Sequence, residues 1–141
     1  MLTPYEFIIL EKASRELDAL VAEKIMGWDK GYDPEPWIML PPEGSTGRKE
    51  GRVYSVPFYS TDIVAAMSVF EKLQRIHEMI EISWVLPGFQ ENNGMSVEFS
   101  KNTQWLVSFK MSNVQGTADT LPLAICRAAL YYISYKKSSP V

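Results

Sequence analysis

The chain has 141 residues, of which 46% are hydrophobic and 22% are charged, with a net charge of −3 and one cysteine. This length is typical of one domain, so residues 1–141 are expected to fold together, and the composition excludes disordered and fibrous proteins. A single cysteine excludes an intramolecular disulfide, and the mild acidity argues against binding to DNA or RNA, which requires dense Lys and Arg side chains.

The hydropathy of the chain argues against a membrane partner. The most apolar stretch, Leu121–Tyr135, is 15 residues long and contains Arg127, whereas a membrane span needs about 20 apolar residues. The segment Met1–Lys12 has neither the basic region nor the long apolar run of a signal peptide. We therefore expect a cytoplasmic protein.

The first predicted element is a helix over residues 4–26. Thr3 followed by Pro4 is typical of a helix start, and apolar residues recur at helical spacing. Ser14 is also a good N-cap residue, which leaves open a second helix that begins there. Gly27 ends the helix. The predicted apolar face consists of Phe7, Leu10, Ala13, Leu17, Leu20, Val21 and Met26.

The next 31 residues, 28–58, are rich in turn formers and are expected to form loops and two short strands. Pro57 interrupts the second strand, which is typical of an edge or a strand end. The basic residues Arg48, Lys49 and Arg52 are expected in a flexible segment. The predicted loops are Trp28–Trp37 and Pro41–Gly47, and the predicted strands are Trp37–Leu40 and Val53–Tyr59.

A second helix is predicted from Ser60 to about Arg75. The hydroxyl groups of Ser60 and Thr61 can accept hydrogen bonds from free amides of the first turn, and Asp62 complements the helix dipole. The predicted buried face consists of Ile63, Ala66, Met67, Phe70 and Leu73.

Three segments with alternating apolar residues follow and predict three strands. Their connections, residues 87–94 and 100–103, are short enough for an antiparallel meander. The alternation directs Trp84 towards the core, on the same face as Ile80 and Ile82. The predicted strands are Met79–Leu86, Met95–Phe99 and Trp105–Met111.

The last predicted helix begins at the cap residue Thr120 and runs to about Tyr135. Its apolar residues cover nearly the whole circumference, so it must be buried on more than one side, either by the chain itself or by a neighbouring subunit. Residues 136–141 are expected to be a frayed tail. The order of elements predicts an α+β fold in which an antiparallel sheet of about four strands packs between helices, similar to an α/β/α sandwich.

The sequence contains no motif for catalysis, for a metal or for a cofactor. His77 is the single histidine, and its position at a helix end is typical of a surface or capping residue. Cys126 lies in the apolar last helix without an electropositive neighbour, which is typical of a small buried residue. We therefore expect a protein that is not an enzyme and that has no cofactor.

Anion binding is the better supported chemistry. The helix starts at Ser60-Thr61 and at Thr120 present free amides that suit phosphate groups, although plain capping explains most such sequences. Arg127 is the single charge in the last helix. It could pair with a ligand phosphate or with a carboxylate of another subunit, or it could simply extend to solvent.

Two other segments are candidates for ligand contacts. Trp28 and Trp37 could stack on a planar base, or they could pack their long loop onto the body. Arg48 and Arg52 could clamp a phosphate, and the alternative is a solvated loop.

Three segments taken together resemble the phage ABA sandwich domain family of small phage and prophage proteins. They are Glu16–Trp28, Tyr59–Ala66 and Pro122–Leu130. The resemblance implies an antiparallel sheet between helical layers and a phage origin, and hence action in the cytoplasm of a bacterial host. It carries over no catalytic residues. Several small phage proteins of similar build sequester nucleotide signals of bacterial immunity, which suggests the same role here by analogy of fold.

These observations predict a non-catalytic phage protein, a homo-oligomer, that sequesters a cyclic nucleotide or a cyclic ADP-ribose signal. The predicted ligand-binding residues are Arg127, Thr120, Ser60, Thr61, Trp28, Trp37, Arg48 and Arg52. The alternative is a protein–protein interaction module that inhibits or redirects a host protein.

Overall fold

The computed structural model of the chain describes residues 2–30, 35–76, 79–85, 88–92, 95–100 and 104–138. The described residues form helices and antiparallel strands, with five strands in succession between the last two helices, and the predicted α+β class is confirmed. The helices are α1 (Pro4–Ile9), α2 (Arg15–Lys24), α3 (Thr46–Glu50), α4 (Ile63–Ile76) and α5 (Leu121–Ser138). The strands are β1 (Ile38–Met39), β2 (Tyr54–Ser55), β3 (Ile80–Val85), β4 (Gly88–Asn92), β5 (Met95–Ser100), β6 (Gln104–Phe109) and β7 (Val114–Ala118).

Two helices stand where the apolar periodicity predicts one. Ser14 has an extended backbone and accepts a hydrogen bond from the Leu17 amide at 3.1 Å, so it caps α2 and separates it from α1. Because the chain leaves the helical conformation at Ser14, the predicted apolar face does not run through as one helix face. Phe7, which was predicted on that face, is half exposed.

The segment between α2 and α4 contains less strand and more helix than predicted. β1 and β2 pair over two residues each, with Ile38 opposite Ser55. Arg48 and Lys49 lie on α3, a helix of five residues, and not in a flexible loop. Ser45 caps α3 by accepting a hydrogen bond from the Arg48 amide, and Gly51 ends it in the left-handed region at φ 69°.

The main sheet has the strand order β3-β6-β7 and is antiparallel throughout. The predicted meander is wrong, because β5 pairs with β4 and β6 pairs with β3. The β4 strand falls in a stretch that was predicted as a connection. The β7 strand was not predicted either, since Gln115, Gly116 and Thr117 lack the alternating apolar pattern.

Helix α5 lies between the sheet and the other long helices. One side packs against β6 and β7, and another contacts α4 and α2. The chain itself therefore covers the apolar circumference of α5, and this helix gives no reason to invoke a second subunit. The homo-oligomer stays a prediction without that support. Residues 136–138 of the predicted frayed tail continue the helix, and residues 139–141 lie outside the described residues.

The core forms along α5. Phe109 of β6 stacks on Tyr132 of α5, with ring centroids 4.2 Å apart. The edge of the sheet is less covered than predicted, because Trp84 on β3 is 50% exposed and meets Trp105 in an edge-on contact. Ile63, in the first turn of α4, is also exposed rather than buried.

Candidate functional site

The hydroxyl group of Ser60 takes part in a buried network. It donates to Asp18 Oδ1 at 2.6 Å and accepts from the Ser14 amide at 3.2 Å, and the Ser60 amide also donates to Asp18 Oδ1. Asp18 is 1% exposed, and its other carboxylate oxygen accepts from Arg15 Nη1 at 2.7 Å. These bonds join the start of α2 to the turn before α4.

Of the two helix starts that were predicted to bind phosphate, the start of α4 is capped by a side chain of the chain itself. Asp62, and not Ser60 or Thr61, caps α4, because its carboxylate accepts from the Val64 amide at 3.0 Å. The Thr61 amide donates to the Phe58 carbonyl within a turn. Thr120 is exposed directly before α5, and its carbonyl accepts from the Ala124 amide.

Both tryptophans of the aromatic loop are partly buried and pack against the core. The Trp28 indole donates to the hydroxyl of Tyr59, whose pKa is raised to about 12 by burial, even though this hydrogen bond lowers it. The Trp37 carbonyl accepts from the Val56 amide at 2.9 Å. The described part of this loop therefore packs onto the body, as the alternative interpretation has it.

Arg48 and Arg52, which were predicted to clamp a phosphate, lie in two different environments. Arg48 forms an ion pair with Asp29 and lies 4.0 Å from Glu43, so it ties α3 to two places in the segment between α2 and α3. Arg52 is exposed and lies 3.5 Å from Glu50. A carboxylate thus lies beside each guanidinium, which reduces its attraction for a phosphate.

Arg127 donates to three backbone carbonyl oxygens. Its Nε lies 2.8 Å from Leu10 O, its Nη1 2.8 Å from Thr117 O and its Nη2 2.7 Å from Glu11 O. The side chain thus extends from α5 to the end of α1 and to β7. A guanidinium has five N–H donors, and three of them are used within the chain.

A further cavity is lined by none of the predicted ligand-binding residues. It is a groove of about 640 Å³ between α1 and α2, with Lys30 and the segment before β1 at one end. We call it the α1–α2 groove. Its apolar lining consists of Tyr5, Ile9, Ala19, Leu20, Pro36 and Met39, and its charged lining of Glu6, Glu16, Glu23, Lys24 and Lys30, with Thr3 beside them.

The charges around the α1–α2 groove are partly paired with one another. Lys24 Nζ lies 3.6 Å from a Glu6 carboxylate oxygen and 3.7 Å from one of Glu23. Burial raises the pKa of Glu6, but the Thr3 amide and the Lys24 ammonium outweigh it, so that the pKa lies below its usual range. Among the described residues, Glu16 and Lys30 form no ion pair, so these two side chains remain available to a ligand.

Helix α1 presents apolar side chains to solvent next to this groove. Tyr5 is 67% exposed and Ile8 is 62% exposed, and no residue of α1 is buried. Exposed apolar patches with polar rims mark interaction sites. The sequence did carry a signal for this surface, because the four consecutive apolar residues Phe7 to Leu10 are too continuous for a helix with one buried face.

The family model of the phage ABA sandwich domain matches residues 19–130. The chain belongs to the phage ABA sandwich domain family. Its fold is also similar to that of a phage protein from Bacillus cereus ATCC 14579, known from a crystal structure, at a TM-score of 0.51 and 24% sequence identity. That match covers 83% of this chain and 88% of the other. No curated protein matches the chain.

The α1–α2 groove lies at the border of the ABA sandwich match. Six of the ten residues of α2, Ala19–Lys24, lie within the matched residues, whereas α1 lies before them. The α2 wall of the groove therefore lies mostly within the matched residues, and the α1 wall lies before them. The groove is in this sense a feature of the whole chain and not of the matched region alone.

The described residues of this ABA sandwich protein contain no group of three or more His, Cys, Asp or Glu side chains that could hold a metal ion. In the same residues, no helix is long and apolar enough to cross a bilayer. Cys126 is fully buried, as predicted, and burial raises the pKa of its thiol. His77 lies outside the described residues, as does part of the aromatic loop.

Proposed function

We propose that this chain is a non-catalytic binding protein of a phage and that it captures a bacterial protein through helix α1 and the α1–α2 groove. The observation that carries the proposal is a groove with an apolar floor and a charged rim, directly beside the exposed side chains of Tyr5 and Ile8. Protein interfaces combine an apolar centre with a polar rim in the same way.

The composition of the rim favours a protein partner over a polyphosphate. Three carboxylates and two ammonium groups line the groove, and Lys24 already pairs with Glu6 and Glu23. A nucleotide with several phosphates would meet more negative than positive charge there. A protein segment with apolar side chains and one charge of each sign could place those apolar side chains on the floor of the groove and pair its charges with Glu16 and Lys30.

Capture of a nucleotide signal, such as a cyclic dinucleotide or a cyclic ADP-ribose isomer, is the second candidate function. It is favoured by the volume of the α1–α2 groove, about 640 Å³, since pockets for small ligands measure about 300–1,000 Å³. Tyr5 could stack on a base, while Lys30 has no partner among the described residues and could meet one phosphate.

Site-specific cross-linking tests the protein partner. A photoreactive benzoylphenylalanine replaces Tyr5 on α1, and in a matched variant it replaces Val64, which is 76% exposed on the outer side of α4. Both variants are irradiated in a Bacillus cereus lysate, the source of the structurally similar protein. We expect a discrete cross-linked protein at position 5 that is absent at position 64.

The specificity of that product is checked with Ile8→Ser in the same background, which should reduce the yield at least fivefold. Equal labelling at positions 5 and 64 would contradict the proposal. Thermal melting with cyclic dinucleotides and cyclic ADP-ribose isomers distinguishes the second candidate, because a ligand that binds only the folded chain raises the melting temperature. A rise in the melting temperature that disappears in Lys30→Ala would identify a nucleotide, and not a protein, as the ligand of the groove.

A further inference from the structure

The N-terminal residues 2–13, which we call the arm, cannot hold their own structure. Helix α1 has six residues, whereas isolated helices shorter than about 12 residues are marginal in water. None of its residues is buried, and the anchoring side chains Leu2 and Leu10 lie just outside the helix. The helical state of the arm therefore depends on contacts with the rest of the chain.

Arg127 supplies such contacts at the C-terminal end of α1. The carbonyl groups of Leu10 and Glu11 have no partner from the following turn, because the helix ends there. Arg127 donates to both, at 2.8 and 2.7 Å, and its third bond fixes the same guanidinium to Thr117 O on β7. The planar guanidinium of arginine carries several N–H donors in a fixed geometry, so it can donate to all three carbonyls at once. The single ammonium group of a lysine does not reproduce this geometry.

Apolar packing behind the arm is incomplete at this point. A cavity of about 230 Å³ lies between Phe7 and Glu11 of the arm and Gln115, Tyr131 and Arg127 of the body. The hydrogen bonds of Arg127 thus bridge a gap that side chains do not fill. At the other side of α1 the ion pair between Glu6 and Lys24 is the corresponding contact.

The position of the arm decides whether the α1–α2 groove exists. Thr3, Tyr5, Glu6 and Ile9 form one wall, and all four belong to the arm. We propose that Arg127 is the positioning residue of this groove: it holds the arm against the body, and without it the arm detaches and the groove opens. The role of Arg127 in binding rests on the proposed function, whereas its role in holding the arm does not.

Hydrogen exchange of the full chain tests the positioning role without any ligand. In Arg127→Ala we expect the amides of Phe7 and Leu10, which are bonded within the arm, to exchange at least tenfold faster, while amides of β6 keep their protection. Trypsin should also cut after the exposed Lys12 at least fivefold faster. Arg127→Lys should show most of both effects, and Arg52→Ala, an exposed arginine, should show neither.

Cross-linking from position 5 is then repeated in the Arg127→Ala chain, where we expect the yield to fall at least fivefold. Unchanged exchange of the arm amides would overturn the inference, and so would an equal acceleration over the whole chain, which would make Arg127 a general stabilising residue. A loosened arm with an undiminished cross-link would support the positioning role and overturn the groove as the binding site. Should the parent chain give no cross-link, the proposed function fails, and hydrogen exchange alone decides on Arg127.

Discussion

Gly116 on β7 lies directly against the backbone of Ala128 on α5. A Cβ atom at position 116 would stand 2.3 Å from the Ala128 nitrogen, 2.7 Å from its Cα and 2.8 Å from the Ala124 carbonyl oxygen. The absence of a side chain at this position therefore allows the central helix to approach the sheet. Small residues on the facing side, Ala124 and Ala128, complete the contact.

Replacing Gly116 should destabilise the fold more than its size suggests. Overpacking a core costs about 1–3 kcal/mol when side chains can move aside, but here the new methyl group meets main-chain atoms of a helix. We expect Gly116→Ala to lower the free energy of unfolding by about 3 kcal/mol or more, measured by urea denaturation. Gln115→Ala, an exposed neighbour on the same strand, should change it by less than about 0.5 kcal/mol.

The contact at Gly116 also shows what the sequence can and cannot predict. Helices α4 and α5 and strands β3 and β6 were predicted within a few residues, because each carries a long apolar periodicity of its own. Strand β7 was missed, since its contribution to the core is a glycine whose role depends on a helix that follows it in the chain. Such a role has no local signal.

The structural roles of the candidate site residues also depend on contacts with distant parts of the chain, which leave no local signal in the sequence. Ser60 was predicted as part of a helix start and Arg127 as the single charge of an apolar helix, but the structure engages them with Asp18 and with backbone carbonyls. The α1–α2 groove depends on the angle between two helices that the periodicity merges into one. Only the capping residue Ser14 indicated the break, and it left the direction of α1 undetermined.

The buried network around Asp18 should be a main source of stability at the start of α2. Removing its carboxylate leaves Arg15 without its carboxylate partner and the Ser60 amide without its acceptor. Breaking a buried charge pair on one side costs about 3–5 kcal/mol, so Asp18→Ala should lower the free energy of unfolding by about 3 kcal/mol. Urea denaturation at neutral pH measures it.

A graded variant separates the charge of Asp18 from its hydrogen bonds. Asp18→Asn keeps an acceptor for Ser60 but loses the ion pair, so it should cost roughly half as much as Asp18→Ala. Asp119→Ala, an exposed position, serves as the control for removal of one negative charge. If Asp18→Ala cost no more than this control, the network would be incidental to stability.

The thiol of Cys126 should not react with thiol reagents until the chain unfolds. The thiolate is the reactive form, and burial raises the pKa of this thiol while the side chain has no exposed surface. We expect a thiol reagent to label the native chain only at the rate of unfolding. Met111→Cys, at a position 80% exposed, provides the matched control and should react at once, at a rate that urea leaves almost unchanged. Rapid labelling of Cys126 in native buffer would show that α5 opens readily.

Tyr59 should make the fold sensitive to alkali. Burial raises its pKa from 10.0 to about 12, so the folded chain holds the phenol neutral where the unfolded chain ionises it. The contribution of Tyr59 to stability is therefore complete below pH 10 and is lost as the pH rises to about 12. Tyr59→Phe, which has no proton to lose, should show a smaller fall in the free energy of unfolding over this interval.

Denaturation at a series of alkaline pH values gives, for each chain, the slope of the free energy of unfolding against pH. In an alkaline titration followed by ultraviolet absorbance, Tyr59→Phe should have one phenol fewer among those that ionise last. Equal slopes for the two chains would mean that Tyr59 ionises freely in the folded state and that its burial beside Trp28 is not maintained in alkali.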